Sequence, residues 1–266
     1  MPRVSATQAA VKDQREPRGS SISRAFEIIR VLRRTSSSMT LTSLAEAVGI
    51  APSTAHSILT ELLAQGIVDQ DGDKRYRLGP ALYYVGSAFA RGTPVYRSIW
   101  MELVDLANEF ELTASVAVPW DDHHLILMSH PGGRGGVDVA FGGMVPLQGG
   151  SWGKAYYAWS GREIPKTLTK FTEHSITDQA RYRKEVEKAR VDGFAADHEE
   201  FAAGIGGVAS GVTSSAGYEG LASLMGPMAQ FEELTFDKIG RRLAGLTSRA
   251  SLSLGDLGRV RAVGAH

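Results

Sequence analysis

Ser151 and Lys154 stand three residues apart in Gly149-Gly150-Ser151-Trp152-Gly153-Lys154-Ala155, ahead of an apolar helical run. Serine followed at that spacing by lysine is the nucleophile pattern of penicillin-binding acylases, where the amine activates the hydroxyl. Such an enzyme also needs an S-D-N-like element and a K-T-G element downstream. Neither tripeptide occurs, and Lys166-Thr167-Leu168 is the nearest. A serine acylase built on Ser151 and Lys154 therefore stands only as the alternative reading, and no catalytic residue is expected. The same stretch offers a second chemistry. Backbone N–H groups that open a helix attract carboxylates and carbonyl oxygens without catalysing anything.

Other reactive side chains group less well. His123, His124 and His130 lie near Asp121 and Asp122, which are potential metal ligands. Adjacent histidines on a strand point to opposite faces, and an Asp-Asp pair suits a turn. A solvated hairpin end is expected there, and no metal. Residues 132–136, Gly-Gly-Arg-Gly-Gly, lack the spacing of a P-loop or dinucleotide fingerprint and read as a flexible loop. Asp197, Glu199 and Glu200 offer paired acids, and the charged run 178–192 reads as a solvated helix face. The chain has no cysteine, which excludes disulfides, thiolate metal sites and thiol nucleophiles. No cofactor is expected.

The elements that must position these groups follow from composition and periodicity. The 266 residues are 43% apolar and 22% charged, enough for one large or two ordinary domains. Residues 1–79 hold 11 Lys+Arg against 8 Asp+Glu, net +3, and the remainder is net −3. That balance permits a nucleic-acid module at the front. Residues 1–20 are polar, lack the apolar core of a signal peptide and read as a disordered tail. No apolar run approaches the roughly 18 residues a bilayer requires. A cytoplasmic protein with no membrane partner is expected.

Ile22, Ala25, Phe26, Ile29 and Leu32 mark one helical face, with Ser21 or Ser23 as cap. A short helix follows, with Thr42 or Ser43 as cap, Leu44, Ala45 and Val48 inward, and Gly49 at its end. After a tight turn, Pro52 opens a longer helix whose buried stripe is Ala55, Ile58, Leu59 and Leu62. Residues 67–70, an Asp-Gly-Asp turn and residues 74–78 read as a hairpin. This is the order of a winged helix-turn-helix. Beyond Gly79, helices and strands mix in the order of an α+β sensor-like domain. The spacing predicts a winged helix over 21–79, a helix over 80–92, a mixed sensor-like domain over 93–250 and a C-terminal tail over 251–266.

In a helix-turn-helix the second helix enters the major groove. Its outward residues here are Ser53, Thr54, His56, Ser57 and Thr60, all able to bond phosphates or bases. Lys74 and Arg75 would sit at the wing tip, facing the DNA backbone. On the residues alone, a sensing module that binds protein rather than DNA stays open.

The stretches "SISRAFEIIRVL", "LTSLAEAVGIAPSTAHSILTELLAQGIV" and "KRYRLGPAL" resemble the front module of the IclR family of bacterial transcription regulators. "VPLQGGSWGKA" and "DGFAADHEEFAAGIGGVA" resemble that family's effector-binding domain. The resemblance implies a winged-helix DNA-binding domain, a linker helix and a GAF-like α/β ligand domain. It further implies a repressor that binds double-stranded operator DNA, as a homodimer or a dimer of dimers forming a homotetramer. The effector residues it implies are Ser151, Trp152, Gly153, Asp197, Ile205, Gly207, Ser223 and Met225, with Asp197 facing the effector. The family often carries lysine and arginine where this chain has Pro52 and Ser57, so the wing, Arg24 or the basic tail gains weight in DNA binding. It often carries cysteine where this chain has Gly207 and serine where it has Met225. Those changes disfavour a small oxo-acid and favour an aromatic acid, as in aromatic catabolism, stacked on Trp152.

Overall fold

The structure is a computed structural model and describes residues 20–35, 37–133 and 137–263. The tail expected over 1–20 lies, apart from Ser20, outside the described residues, as does the centre of the glycine-rich loop. The chain divides into two compact units, with the boundary between Arg91 and Gly92.

The first unit holds helices α1 (Ser21–Arg34), α2 (Leu41–Val48) and α3 (Pro52–Ala64), strands β1 (Val68–Gln70) and β2 (Tyr76–Leu78), and helix α4 (Ala81–Gly92). Ile28, Leu32, Leu44, Leu59, Leu62, Val68 and Tyr76 form one core. On α1 the inward stripe is Ala25, Ile28, Ile29 and Leu32, so Ile22 and Phe26 are exposed, contrary to the expected face. Repeats at three and four residues fit two neighbouring stripes on so apolar a helix, and packing against α3 selects one. The caps lie one to three residues earlier than expected. The Ser20 hydroxyl accepts from the Ser23 amide at 3.4 Å, and Thr40 accepts from the Ser43 amide at 3.2 Å. An N-cap is non-helical, and Ser21, Ser23, Thr42 and Ser43 already lie inside their helices. Gly49 ends α2 with φ of 70°, a conformation that favours glycine and frees Pro52 to start α3.

β1 and β2 pair antiparallel, with Val68 opposite Leu78. The turn between them is organised by the Asp71 carboxylate, which accepts from the Asp73 and Arg75 amides and the Ser38 hydroxyl. These bonds hold its pKa below the usual carboxylate range. α4 buries none of its residues, and Tyr83, Tyr84, Val85 and Phe89 all stand exposed.

The second unit continues with α5 (Pro94–Phe110), β3 (Thr113–Trp120), β4 (His123–Pro131), β5 (Met144–Pro146), α6 (Gly150–Ser160) and α7 (Gln179–Asp192). It closes with β6 (Ala195–His198), β7 (Ile205–Ser214), β8 (Gly217–Pro227), α8 (Met228–Leu234) and α9 (Phe236–Val263). The six strands form an antiparallel sheet in the order β5-β4-β3-β8-β7-β6. Both faces are covered, which explains strands with near-continuous apolar sequence. Ala114, Val116, Val208, Val212, Ala222 and Leu224 meet α5 and α9 on one face. Ala117, Ala195, Ala209 and Leu221 meet α6 and α7 on the other.

α9 runs on to Val263, through residues 251–263 that were expected to form a tail. Lone glycines such as Gly255 cost a helix about 1 kcal/mol and do not stop it. Among the described residues, no helix is long and apolar enough to cross a membrane.

α6 is held to the sheet by a close approach at its end. A Cβ built on Gly211 of β7 would fall 2.4 Å from the Trp159 ring. Gly211→Ala is therefore expected to destabilise the protein by about 1–3 kcal/mol through overpacking. Trp159→Ala in the same chain should recover part of that loss, because the two sites share one contact. Chemical denaturation of the single and double variants checks this.

Candidate functional site

The outer face of α3 carries Ser53, His56, Ser57 and Thr60 exposed and Thr54 half-buried, so all five share one surface. The Thr60 hydroxyl is turned back onto the His56 carbonyl at 2.9 Å. At the wing, Lys74 is exposed with φ of 58°, at the turn. Arg75 is committed elsewhere. Its guanidinium donates twice to the Ser38 carbonyl, at 2.9 and 3.2 Å. Arg75 therefore braces the wing against the loop before α2. Arg77 pairs with Asp69 across the hairpin at 2.6 Å. Arg24 lies half-buried on the first turns of α1.

In the second unit, chemistry gathers where α6 begins. Gly149 is its N-cap, and no side chain caps the helix. Gly149, Gly150 and Ser151 are all buried. A helix start leaves backbone donors without intrahelical partners, and here they face the interior instead of water. Gly150 has φ of 46°, and a Cβ on it would lie 1.9 Å from the Asp197 carboxylate. Only glycine lets β6 bring that carboxylate so close.

Asp197 is itself buried, and its Oδ1 accepts from the Glu200 amide at 2.7 Å. Burial, then the Glu200 charge, raise its pKa to about 6, against the opposing pull of Lys154. Lys154 Nζ donates to Glu200 Oε1 at 2.6 Å, with side chains only 1% and 9% exposed. The lysine of the S-x-x-K motif thus serves a buried ion pair and does not activate Ser151. A lysine committed to a carboxylate is not free to serve Ser151 as a base.

Strand register assembles the remaining residues. Asp197, Gly207 and Met225 face one another in a row across β6, β7 and β8. Ser115 and Ser223 form the adjacent pair across β3 and β8. The Ser151 hydroxyl lies 3.5 Å from where a Gly207 side chain would begin. Ile205 sits two residues before Gly207, paired with Pro227 at the sheet's end. Gly153 has a different part to play. A Cβ there would meet the Tyr182 hydroxyl at 2.7 Å and the Gln148 backbone at 2.5 Å, so Gly153 seats α6 against α7.

The expected solvated hairpin at His123 and His124 is not found. His124 is fully buried, and neither ring nitrogen has a hydrogen-bond partner among the described residues. Its neighbour Ile126 belongs to the core beneath α6, and strand alternation puts His124 on that same face. The ring lies edge-on to Trp152, with centroids 5.7 Å apart, and to Tyr156 at 5.6 Å. Burial first, then the His123 charge, lower its pKa to about 3, so it is neutral. His123 turns the other way to Asp122 at 2.5 Å, and His130 meets Asn108 at 2.9 Å. Among the described residues, no three potential ligands converge as a metal site.

Sequence reasoning missed His124, Ser115 and the Lys154–Glu200 pair. For the first two a signal existed: in strands buried on both faces, polar residues in the apolar alternation point inward.

The arrangement can hold an anion at an uncapped helix start, beside a titratable acid and an aromatic wall. Residues 21–72 match the family model "IclR helix-turn-helix domain", and residues 91–251 match "Bacterial transcriptional regulator IclR C-terminal". The chain is 32% identical over 202 residues to the HTH-type transcriptional regulator Rv1719 of Mycobacterium tuberculosis, covering 72% of this chain and 77% of that protein. It is 26% identical over 204 residues to the transcriptional repressor IclR of Escherichia coli, covering 70% and 71% respectively. The crystal structure of an IclR homologue from Microbacterium hydrocarbonoxydans, complexed with 4-hydroxybenzoate, has the same fold. Its TM-score is 0.77 at 18% identity, over 88% of this chain and 99% of that one. The winged helix and the sheet-and-helix ligand unit thus carry the family's two domains in the family's order: the chain belongs to the IclR family of bacterial transcriptional regulators, which bind DNA and are not enzymes.

Proposed function

We propose that this regulator is a repressor, released from operator DNA in the cytoplasm by an aromatic carboxylic acid bound at the start of α6. One observation carries the reading. A buried helix N-terminus without a side-chain cap adjoins Trp152 and a carboxyl that titrates near neutrality. The effector's carboxylate would accept from the amides at Ser151 and Trp152, where the helix dipole favours negative charge. Trp152 and Met225 would pack the ring, and Ser151 and Ser223 would bond the oxygens. Ile205 stands at the outer edge of this set, and Gly207 leaves room. Rv1719 and IclR are named as a transcriptional regulator and a repressor, and a structural relative holds 4-hydroxybenzoate, which agrees with both halves of the proposal.

On the DNA side, α3 would enter the major groove with Ser53, Thr54, His56 and Ser57 at the base edges, Thr60 behind them, and Lys74 on a phosphate. Arg24 would add a second backbone contact, and Arg75 would keep the wing in shape. The domain limits remain our reading: a winged helix over 21–79, α4 as linker and the ligand domain from 93. Two recognition helices need a two-fold dimer. The apolar residues of α4, Leu82, Tyr83, Val85 and Phe89, would pair with their copies, and dimers would pair into tetramers.

His56→Ala should weaken operator binding by about 1–3 kcal/mol, the worth of a base contact. Lys74→Ala should weaken operator and scrambled duplex alike and lower the salt slope by about one. Fluorescence anisotropy on both duplexes checks this, and two unaffected variants would contradict the docking.

Asp197 beside the effector's acid predicts a pH dependence. Its folded pKa lies above its ordinary value, so the fold favours its protonated form, and that preference fades as pH rises through about 6. A protonated Asp197 can donate to the effector carboxylate, whereas an ionised one repels it. Benzoate affinity should therefore rise as pH falls from neutrality through about 6, and Asp197→Asn should flatten the profile. Calorimetry across that range gives the answer; a parallel slope in the variant would remove Asp197 from the site.

A further inference from the structure

The polar side-chain atoms that are buried without a partner are not scattered. Among the described residues they belong to Ser115, His124, Tyr182, Tyr218, Ser223 and Gln230. Ser115, Ser223 and His124 stand on the sheet face that looks to α6 and α7, Tyr182 is on α7, and the Tyr218 ring packs on Tyr156 of α6. Only Gln230 lies elsewhere, on α8. Native interiors leave few polar groups unpaired, and such groups mark a missing water or ligand.

His124 is the most demanding of the set. Neither ring nitrogen has a hydrogen-bond partner of good geometry among the described residues, while the Leu147 backbone acceptor near one of them opposes the fall in its pKa. A neutral imidazole is one donor and one acceptor. It cannot neutralise a carboxylate, but it matches a hydroxyl, which both gives and takes a hydrogen bond. Its place supports the same reading. Asp197 touches Gly150 and so neighbours the acid end of a ligand at α6. His124 lies edge-on to the Trp152 ring, with centroids 5.7 Å apart, and so borders the aromatic wall of the same site.

We infer that His124 reads a hydroxyl on the effector's ring, which makes the effector a hydroxylated aromatic acid. This inference rests on the reading of α6 as the acid-binding end. It assigns His124 as a specificity-determining residue. The ligand's O–H donates to one ring nitrogen and the other ring N–H donates to a ligand or water oxygen. A site that hydrogen-bonds a hydroxyl rejects the analogue without it, because the buried partner is then left unpaired.

The test uses calorimetry with benzoate, 3-hydroxybenzoate and 4-hydroxybenzoate on the full-length protein and on His124→Phe. The wild-type protein should bind one hydroxylated acid at least about tenfold tighter than benzoate. In His124→Phe that preference should vanish while benzoate binding stays. A hydroxyl preference that survives the substitution overturns the inference and leaves the α6 reading standing. Absence of binding by all three acids to wild-type protein overturns both. A purely structural histidine would shift the melting temperature without moving the ratio of affinities. Should the variant not fold, nitrogen-15 NMR of the wild-type imidazoles decides: one histidine should respond to the preferred hydroxybenzoate and not to benzoate, and no response from any histidine refutes the role.

Discussion

The buried Lys154–Glu200 ion pair is the constraint on which the ligand domain's chemistry depends. Neither charge reaches solvent, and each is tolerable there only because of the other. Removing one partner of such a pair costs about 3–5 kcal/mol, because an uncompensated charge stays behind. The pair joins the first turns of α6 to the segment after β6. That segment is fixed again by the Thr172 and Ser175 hydroxyls, which donate to the Glu200 carbonyl at 3.2 and 2.7 Å. Glu200 also gives its amide to Asp197. One residue thereby sets the height of α6 over the sheet and the direction of the acid beside its N-terminus.

The two faces of the sheet divide the remaining work. The face toward α5 and α9 is apolar and close-packed, and it supplies the burial that makes the domain fold. The face toward α6 carries the unpaired hydroxyls and imidazole that folding alone does not explain. Polar groups left in a low-dielectric interior weaken the fold unless something satisfies them. Their concentration on one face separates the apolar packing that folding explains from the groups proposed to serve recognition.

The winged helix was legible because its signals are local. Gly49, Pro52, the stripe from Ala55 to Leu62 and the Asp71 turn each act within a few residues. The exact caps and the inner face of α1 were not, because Ser20 competes with Ser21 and Ser23, and packing alone rejects Phe26. The ligand domain read well as an order of strands and helices and poorly as a site. Lys154 finds its partner 46 residues away, so local spacing suggested a nucleophile motif instead. The Asp-Asp neighbours of His124 mark it as surface, whereas alternation with Ile126 places it inside. Arg75 looked free for DNA until the fold brought the Ser38 carbonyl to it.

The proposed function joins the two units: an acid bound at α6 should change how α3 holds DNA. A ligand shifts such an equilibrium only by its differential affinity for the two states, and the coupling is reciprocal. The most direct measurement titrates the operator complex with hydroxybenzoate while following DNA release and ligand binding in the same sample. Release is expected over the concentration range in which the ligand domain saturates, with operator DNA weakening ligand affinity by the same factor. Saturation of the domain with no change in operator affinity would contradict the proposed function.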